Sequence, residues 1–152
     1  MDEPADLVLL DHARVATLAT TSADGRPHVV PVVFARDGID LVTSVDGKPK
    51  QGKVLARIEN VIRDPRVSLL ADHYEEDWSR LWWVRVDGTA SIESEGEGFD
   101  RALMALRARY LQYRVVELPG PVIRIRIERT TSWASDTSQL FAGPPVHGPS
   151  RL

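Results

Sequence analysis

Three of the four Asp-Gly pairs, Asp24-Gly25, Asp37-Gly38 and Asp87-Gly88, constrain this chain more than any other feature. An Asp-Gly pair readily takes the positive-φ positions that a tight hairpin turn requires. The first pair lies between VATLATTS (Val15 to Ser22) and VVPVVFAR (Val29 to Arg36), and the second leads into IDLVTS. All three runs are rich in β-branched residues and read as strands. A connection this short cannot carry a parallel crossover, so the runs form an antiparallel meander. Asp87-Gly88 differs, because it stands in the middle of LWWVRVDGTASIES (Leu81 to Ser94), where it reads as a bulge or a turn.

Two further strands follow from pattern. RVSLLADH (Arg66 to His73) is one, and VIRIRIE is the other, with Ile123, Ile125 and Ile127 set against Arg124, Arg126 and Glu128, as a strand with one buried face requires. Helical spacing appears in three places. Asp2 and Pro4 begin a short helix that turns Leu7, Val8 and Leu10 inward. Val54, Ile58, Val61 and Ile62 share a face of a second helix, which the DPRV segment (Asp64 to Val67) stops. Phe99, Leu103, Leu106 and Tyr110 form the stripe of a third, with Arg101, Arg107 and Arg109 off it. No repeat or linker divides the chain, so residues 1–152 read as one domain, with an irregular Gly- and Pro-rich tail over 140–152.

Composition narrows the chemistry. The 152 residues are 43% hydrophobic, enough for a real core, and there is no cysteine, which removes disulfide, thiolate-metal and Cys-nucleophile chemistry. The net charge of -3 carries none of the basic excess of a nucleic-acid binder, so an anion site must be local. MDEPADLVLL opens acidic without the basic flank of a secretory signal, and no run of 18 apolar residues occurs; the expectation is a soluble cytoplasmic protein that engages neither membrane nor nucleic acid.

One local charge concentration stands out. VDGKPKQGKV (Val45 to Val54) matches the spacing G-x-x-x-x-G-K of a phosphate-binding P-loop except that Val54 replaces the hydroxyl residue. Valine has no oxygen for magnesium, Pro49 removes an N–H that the loop would present, and a meander lacks the parallel strand that such a loop must follow. The segment still carries Lys48, Lys50, Lys53 and Arg57 with no acid between Gly47 and Ile58. A strand ends before it at Thr43 and Ser44, and a helix begins near Lys53, so helix-start N–H groups adjoin the lysines. It reads as an anion cradle or as a solvated lysine loop, and charge alone leaves both open. His12, His28, His73 and His147 have no metal-ligand spacing, Glu75, Glu76 and Asp77 read as a solvated run, and no catalytic constellation emerges.

The order ATLATTSADGRPHVVPVVFARDG, IDLVTSVDGKPK, LARIENVIRDPRVSLL and WWVRVDGTASI resembles the split-barrel proteins related to pyridoxamine 5'-phosphate oxidase, over about Ala13 to Trp133. It is most similar to their deazaflavin branch, the probable coenzyme F420-dependent class. The resemblance implies a six-stranded antiparallel split β-barrel of the FMN-binding type with flanking helices, built as a homodimer with two cofactor sites across the interface. It places the deazaflavin ring against Pro31, Val32, Val33 and Phe34, and the ribityl chain and phosphate at Thr43, Ser44, Lys48 and Lys50, with Lys53 and Arg57 reached from the helix start. Trp133 would approach the partner subunit's site and Trp78 would cover the pocket. The implied activity is hydride transfer between the reduced cofactor and a small electron-poor substrate, the catalytic residues being unassigned. Two alternatives accompany it: an FMN-dependent enzyme of the oxidase type, and a barrel that binds a cofactor without turnover. Arg26 precedes the ring strand where the oxidase branch uses an arginine on FMN phosphate, but its position in a turn places FMN second. The aromatic edge Leu81, Trp82 and Trp83 is the expected dimer contact.

Overall fold

In the computed structural model, which describes residues 5–45 and 54–136, the Asp24-Gly25 pair closes the first hairpin as expected. Strand β1 (Ala16–Thr21) pairs antiparallel with β2 (Pro27–Val32), and Gly25 takes a φ of 85° in the turn. The next run departs from expectation. Val29 to Arg36 is not one strand, because the chain leaves the ladder at Val33 and Phe34 and starts a separate strand, β3 (Ala35–Asp37), paired with β4 (Asp40–Ser44). The interruption is stable because side chains replace the lost ladder bonds. The Phe34 N–H donates to Tyr110 Oη at 3.2 Å, and the Phe34 carbonyl accepts from Tyr110 Oη at 2.9 Å and from Arg109 Nη1 at 2.8 Å.

Three longer strands complete the sheet: β5 (Arg66–His73), β6 (Trp82–Glu93) and β7 (Val122–Ala134). The order is β2-β1-β5-β6-β7-β4-β3, every pairing antiparallel. The sheet therefore has seven strands and not the expected six, since one anticipated strand is two. It is also open: β2 and β3 are its two edges, joined through Val33 and Phe34 and not by a ladder. Asp87-Gly88 proves to be a bulge within continuous β6, where the register against β7 shifts. A Cβ on Gly88 would stand 2.3 Å from the Arg126 carbonyl oxygen, so only glycine allows the two strands to approach there. Because β4 is antiparallel to both neighbours, the strand preceding the basic segment does not belong to a βαβ unit, and the P-loop reading lacks its scaffold.

Helix α1 (Ala5–Leu10) buries Leu7, Leu9 and Leu10, with Val8 half-buried. Helix α2 (Ala56–Arg63) buries Ile58 and Val61, but Ile62 and Val54 face solvent, and the expected face is corrected by one position. Asn60 takes the inward place instead, its amide donating to buried Thr20 Oγ1 at 3.0 Å. Helix α3 (Glu97–Arg109) lies against β3 and β4, and a 3-10 turn (Leu111–Arg114) continues it. The packing has two parts. The sheet's inner face, α1 and α2 enclose a cluster around Leu10, Leu18, Phe34, Leu69 and Val84, while Leu106, Tyr110 and Tyr113 pack on Ala35, Val42 and Val122 in a second. No helix among the described residues is long and apolar enough to cross a membrane.

Arg124 of β7 ties the second cluster to the sheet. Its guanidinium reaches Asp37 at 2.9 Å, Asp40 at 3.1 Å and the Gly98 carbonyl at 2.9 Å, and also bonds Glu93. One side chain thus holds the β3–β4 turn, the end of β6 and the start of α3. Burial acts to lower its pKa, but the hydrogen bonds to Glu93, Asp37 and Asp40 outweigh this and raise it.

Candidate functional site

The point where the chain crosses from β2 to β3 forms one wall of a cleft of about 230 Å³. Val15, Pro31, Val32 and Val33 supply its apolar surface, Thr43 and Ser44 come from the end of β4, Arg57 from the first turn of α2, and Tyr113 from the turn after α3. Proline suits this place: β2 is an edge strand, so the absent N–H of Pro31 costs no central ladder bond. The polar groups are oriented by main chain. Thr43 Oγ1 donates to the Val33 carbonyl at 2.7 Å, and Ser44 Oγ donates to the Val45 carbonyl at 3.2 Å. Both protons are therefore committed to main-chain carbonyls, so what the two hydroxyls have left to offer is acceptor capacity, which suits sugar-alcohol hydroxyls better than phosphate. Arg57 is the cation on the cleft wall.

Six of the sequence-expected residues meet here: Pro31, Val32, Val33, Thr43, Ser44 and Arg57. Phe34 does not. It is fully buried, and its ring lies under the Arg109 guanidinium, 4.6 Å from the centroid, because the chain turns inward where β2 ends. Lys48, Lys50 and Lys53 lie outside the described residues, and the helix that follows begins at Ala56. Trp78 and Trp133 line a different pocket within the same chain, at the shared end of β5, β6 and β7. Arg26 lies in the turn before Pro27, at the opposite end of β2 from Pro31, with its N–H on Asp24 Oδ1.

The sequence reading missed Val15, Tyr113 and the bracing of the crossing from behind. Tyr113 stands three positions after Tyr110 and packs edge-on against it at 6.0 Å, a helical interval that was legible but not used. Arg109, read as lying off the apolar stripe of α3, caps carbonyls of Leu10, Asp11, Ala13 and Phe34. Burial pushes its pKa below the usual arginine value. Arg109 and Tyr110 together fix Phe34, and with it the adjacent Val33 on the cleft wall.

An open antiparallel sheet whose chain crosses between its two edges, beside a cleft with apolar, hydroxyl and guanidinium groups, defines a split-barrel module. Residues 3–134 match the family model described as pyridoxamine 5'-phosphate oxidase, and the chain belongs to that family. Among solved structures, a conserved hypothetical protein from Mycobacterium tuberculosis is 25% identical, with 99% of this chain and 94% of that one covered and a TM-score of 0.71. A protein described as FAD-binding from Mesorhizobium loti is 27% identical over 81% of this chain and 87% of its own, with a TM-score of 0.60. A heme binding protein from Mycobacterium smegmatis shares 20% identity, covering 95% of this chain and 63% of that one, with a TM-score of 0.67, and shows the shared fold. No curated protein matched the sequence.

Proposed function

We propose that the cleft holds the ring and ribityl portion of a flavin-type cofactor, the deazaflavin coenzyme F420, and that the protein is an F420-dependent oxidoreductase acting on a small electron-poor organic substrate in the cytoplasm. The observation that carries this reading is the cleft's composition: an aliphatic wall for a planar ring, two oriented hydroxyl acceptors for a polyol, and Arg57 toward an anionic arm. These residues fit the group. When bound, the deazaflavin would supply hydride chemistry, and the protein's contribution is position and exclusion of water. Pro31 to Val33 orient the ring, and Lys48, Lys50 and Lys53, within ten positions of Arg57 in sequence, would supply further positive charge to the anionic arm.

A second copy of the chain is part of this reading. A cleft of about 230 Å³ is smaller than the roughly 300–1,000 Å³ usual for a cofactor site, so a site of ordinary size needs walls from elsewhere. Light scattering should report twice 16.9 kDa; a monodisperse monomer at micromolar concentration would remove the shared site. An FMN- or FAD-type cofactor is the second reading, favoured by the 27% identity to the FAD-binding protein.

Fluorescence titration with the oxidised deazaflavin and, separately, with FMN decides between them. The deazaflavin should bind more tightly, and Lys50→Ala should weaken it roughly tenfold to hundredfold, the worth of one charge-assisted contact. The loss should shrink as salt rises, while the melting temperature stays nearly constant. Tighter binding of FMN would reverse the cofactor assignment, and unchanged affinity in both Lys50→Ala and Lys53→Ala would eliminate the anion cradle.

A further inference from the structure

Helix α3 ends at Arg109, and the segment after it carries an apolar surface that faces water. The 3-10 turn Leu111–Arg114 leads into Val115 and Val116, whose N–H groups both return to the Gln112 carbonyl, at 3.2 and 2.9 Å, so Leu111 to Val116 is one compact turn. Buried Tyr113 and Leu118 fix it to the second core cluster. Leu111, Val115 and Val116 stand 66%, 87% and 46% exposed on this braced projection, and Met104, earlier on α3, is exposed as well. Apolar side chains gathered in one turn and held out into water mark a contact surface. Tyr113 lines the cleft from the same turn, so the surface lies beside the cleft.

The local charge runs against that of the whole molecule. Between Met104 and Leu118 the sequence holds Arg107, Arg109 and Arg114 and the single acid Glu117, in a chain of net charge -3. Arg109 is engaged by carbonyls, but Arg107 and Arg114 are exposed and make no hydrogen bond or ion pair with any described residue. Arg14, just before β1, joins them. Its Nη2 donates to the Arg109 carbonyl at 3.0 Å and its guanidinium lies 4.7 Å from the Tyr110 ring centroid, which holds it over the end of α3 with no described acid paired to it.

We propose that this corner rests against the surface of an anionic bilayer, with Leu111, Val115 and Val116 entering the headgroup region and Arg14, Arg107 and Arg114 meeting lipid phosphates. The proposal goes beyond the cofactor reading and stands without it. Arginine suits the place, because its stem lies along apolar surface while its planar head meets phosphate oxygens in pairs. A second copy fits poorly: an isologous contact would bring each arginine cluster toward its own image, with Glu117 the adjoining acid. A projection also suits a surface that yields to it, where a small ligand needs a concavity. The sequence expectation of no membrane contact came from the lack of a signal or spanning run, which bears on crossing a bilayer and not on resting against one.

Sedimentation with extruded vesicles tests this without any flavin. The full chain should pellet with phosphatidylcholine vesicles containing about 30% phosphatidylglycerol, at least about tenfold more tightly than with phosphatidylcholine alone, and the preference should shrink as salt rises. Arg107→Gln combined with Arg114→Gln should lower affinity for the anionic vesicles roughly twentyfold to thirtyfold, and Val115→Ser by about tenfold. Melting curves verify that these surface variants fold. Because the chain has no cysteine, Val115→Cys and Glu95→Cys, the latter at the opposite end of α3, each accept a single polarity-sensitive label. The Val115→Cys label should shift to the blue when anionic vesicles are added, and the Glu95→Cys label should not. Absence of pelleting at about 1 mM lipid, equal pelleting with both vesicles, or equal shifts at both positions would overturn the proposal. A Val115→Cys label already blue-shifted without lipid and reverting on dilution would overturn it too, and would assign the face to a second copy.

Discussion

Replacing Arg124 with methionine should destabilise the protein by about 1.5–3 kcal/mol, below the range for a fully buried ionic cluster because solvent still reaches these groups. The side chain is 14% exposed and is shared by Asp37, Asp40 and Glu93, whose own side chains are 17%, 26% and 23% exposed. Without the guanidinium, three carboxylates remain close together with their repulsion unrelieved. The Gly98 carbonyl also loses its donor. The sign of the pH dependence follows. The raised folded-state pKa of Arg124 means that its contribution is fully present below the usual arginine range and is lost only as pH rises above it, so the deficit should be the same at about pH 6 and about pH 9. Urea unfolding of both proteins at those two values measures this. A deficit below about 1 kcal/mol at either would show that the cluster does not depend on the arginine.

Arg109→Ala should cost about 3 kcal/mol, which for a chain of this size lowers the melting temperature by roughly 6–12 °C. Four carbonyls lose a charged donor, and Phe34 and Tyr110 lose the cation lying over their rings at 4.6 and 5.4 Å. Arg109→Lys should recover less than half, because a single ammonium cannot span acceptors that the planar guanidinium meets from several sides. The effect should extend to the cleft, since Val33 is held between Phe34 and the Thr43 hydroxyl. Affinity for the deazaflavin should therefore fall in Arg109→Lys more than its stability loss explains, as measured at a temperature where the variant is fully folded. An alanine variant within about 1 kcal/mol of wild type would make the bracing dispensable.

The strands and their antiparallel order were legible because alternation and Asp-Gly chemistry are local signals. The crossing at Val33 and Phe34 was not, because the β propensity of Val29 to Arg36 is unbroken and the groups that interrupt it, Arg109 and Tyr110, lie 75 and 76 positions away in sequence. Asp87-Gly88 stayed ambiguous between bulge and turn for a related reason: β7 decides it, and β7 comes later in the chain. The cleft was legible where it is built from strand ends, as at Pro31 to Val33, Thr43 and Ser44. Tyr113 and Arg109 escaped because their roles depend on how α3 packs, which a helical stripe does not specify. The same limit explains Trp82, whose sequence suggests an interface but whose side chain is buried in its own chain's core.

Strand β4 is paired with β7 through partners as distant in sequence as Thr43 and Ile123, while β1 with β2 and β3 with β4 are joined by tight turns. The two hairpins can form early and independently, on a microsecond scale. The β1–β2 hairpin can join β5 as soon as that strand exists, but the β3–β4 hairpin cannot take its final place until nearly the whole chain has emerged, because only β7 links it to the rest of the sheet. Closing so long a loop carries its entropic cost before any contact compensates it, so this pairing sets the pace of folding. The cleft, with walls from both hairpins, exists only after that last step, and a nascent or partly unfolded chain has no binding surface to expose.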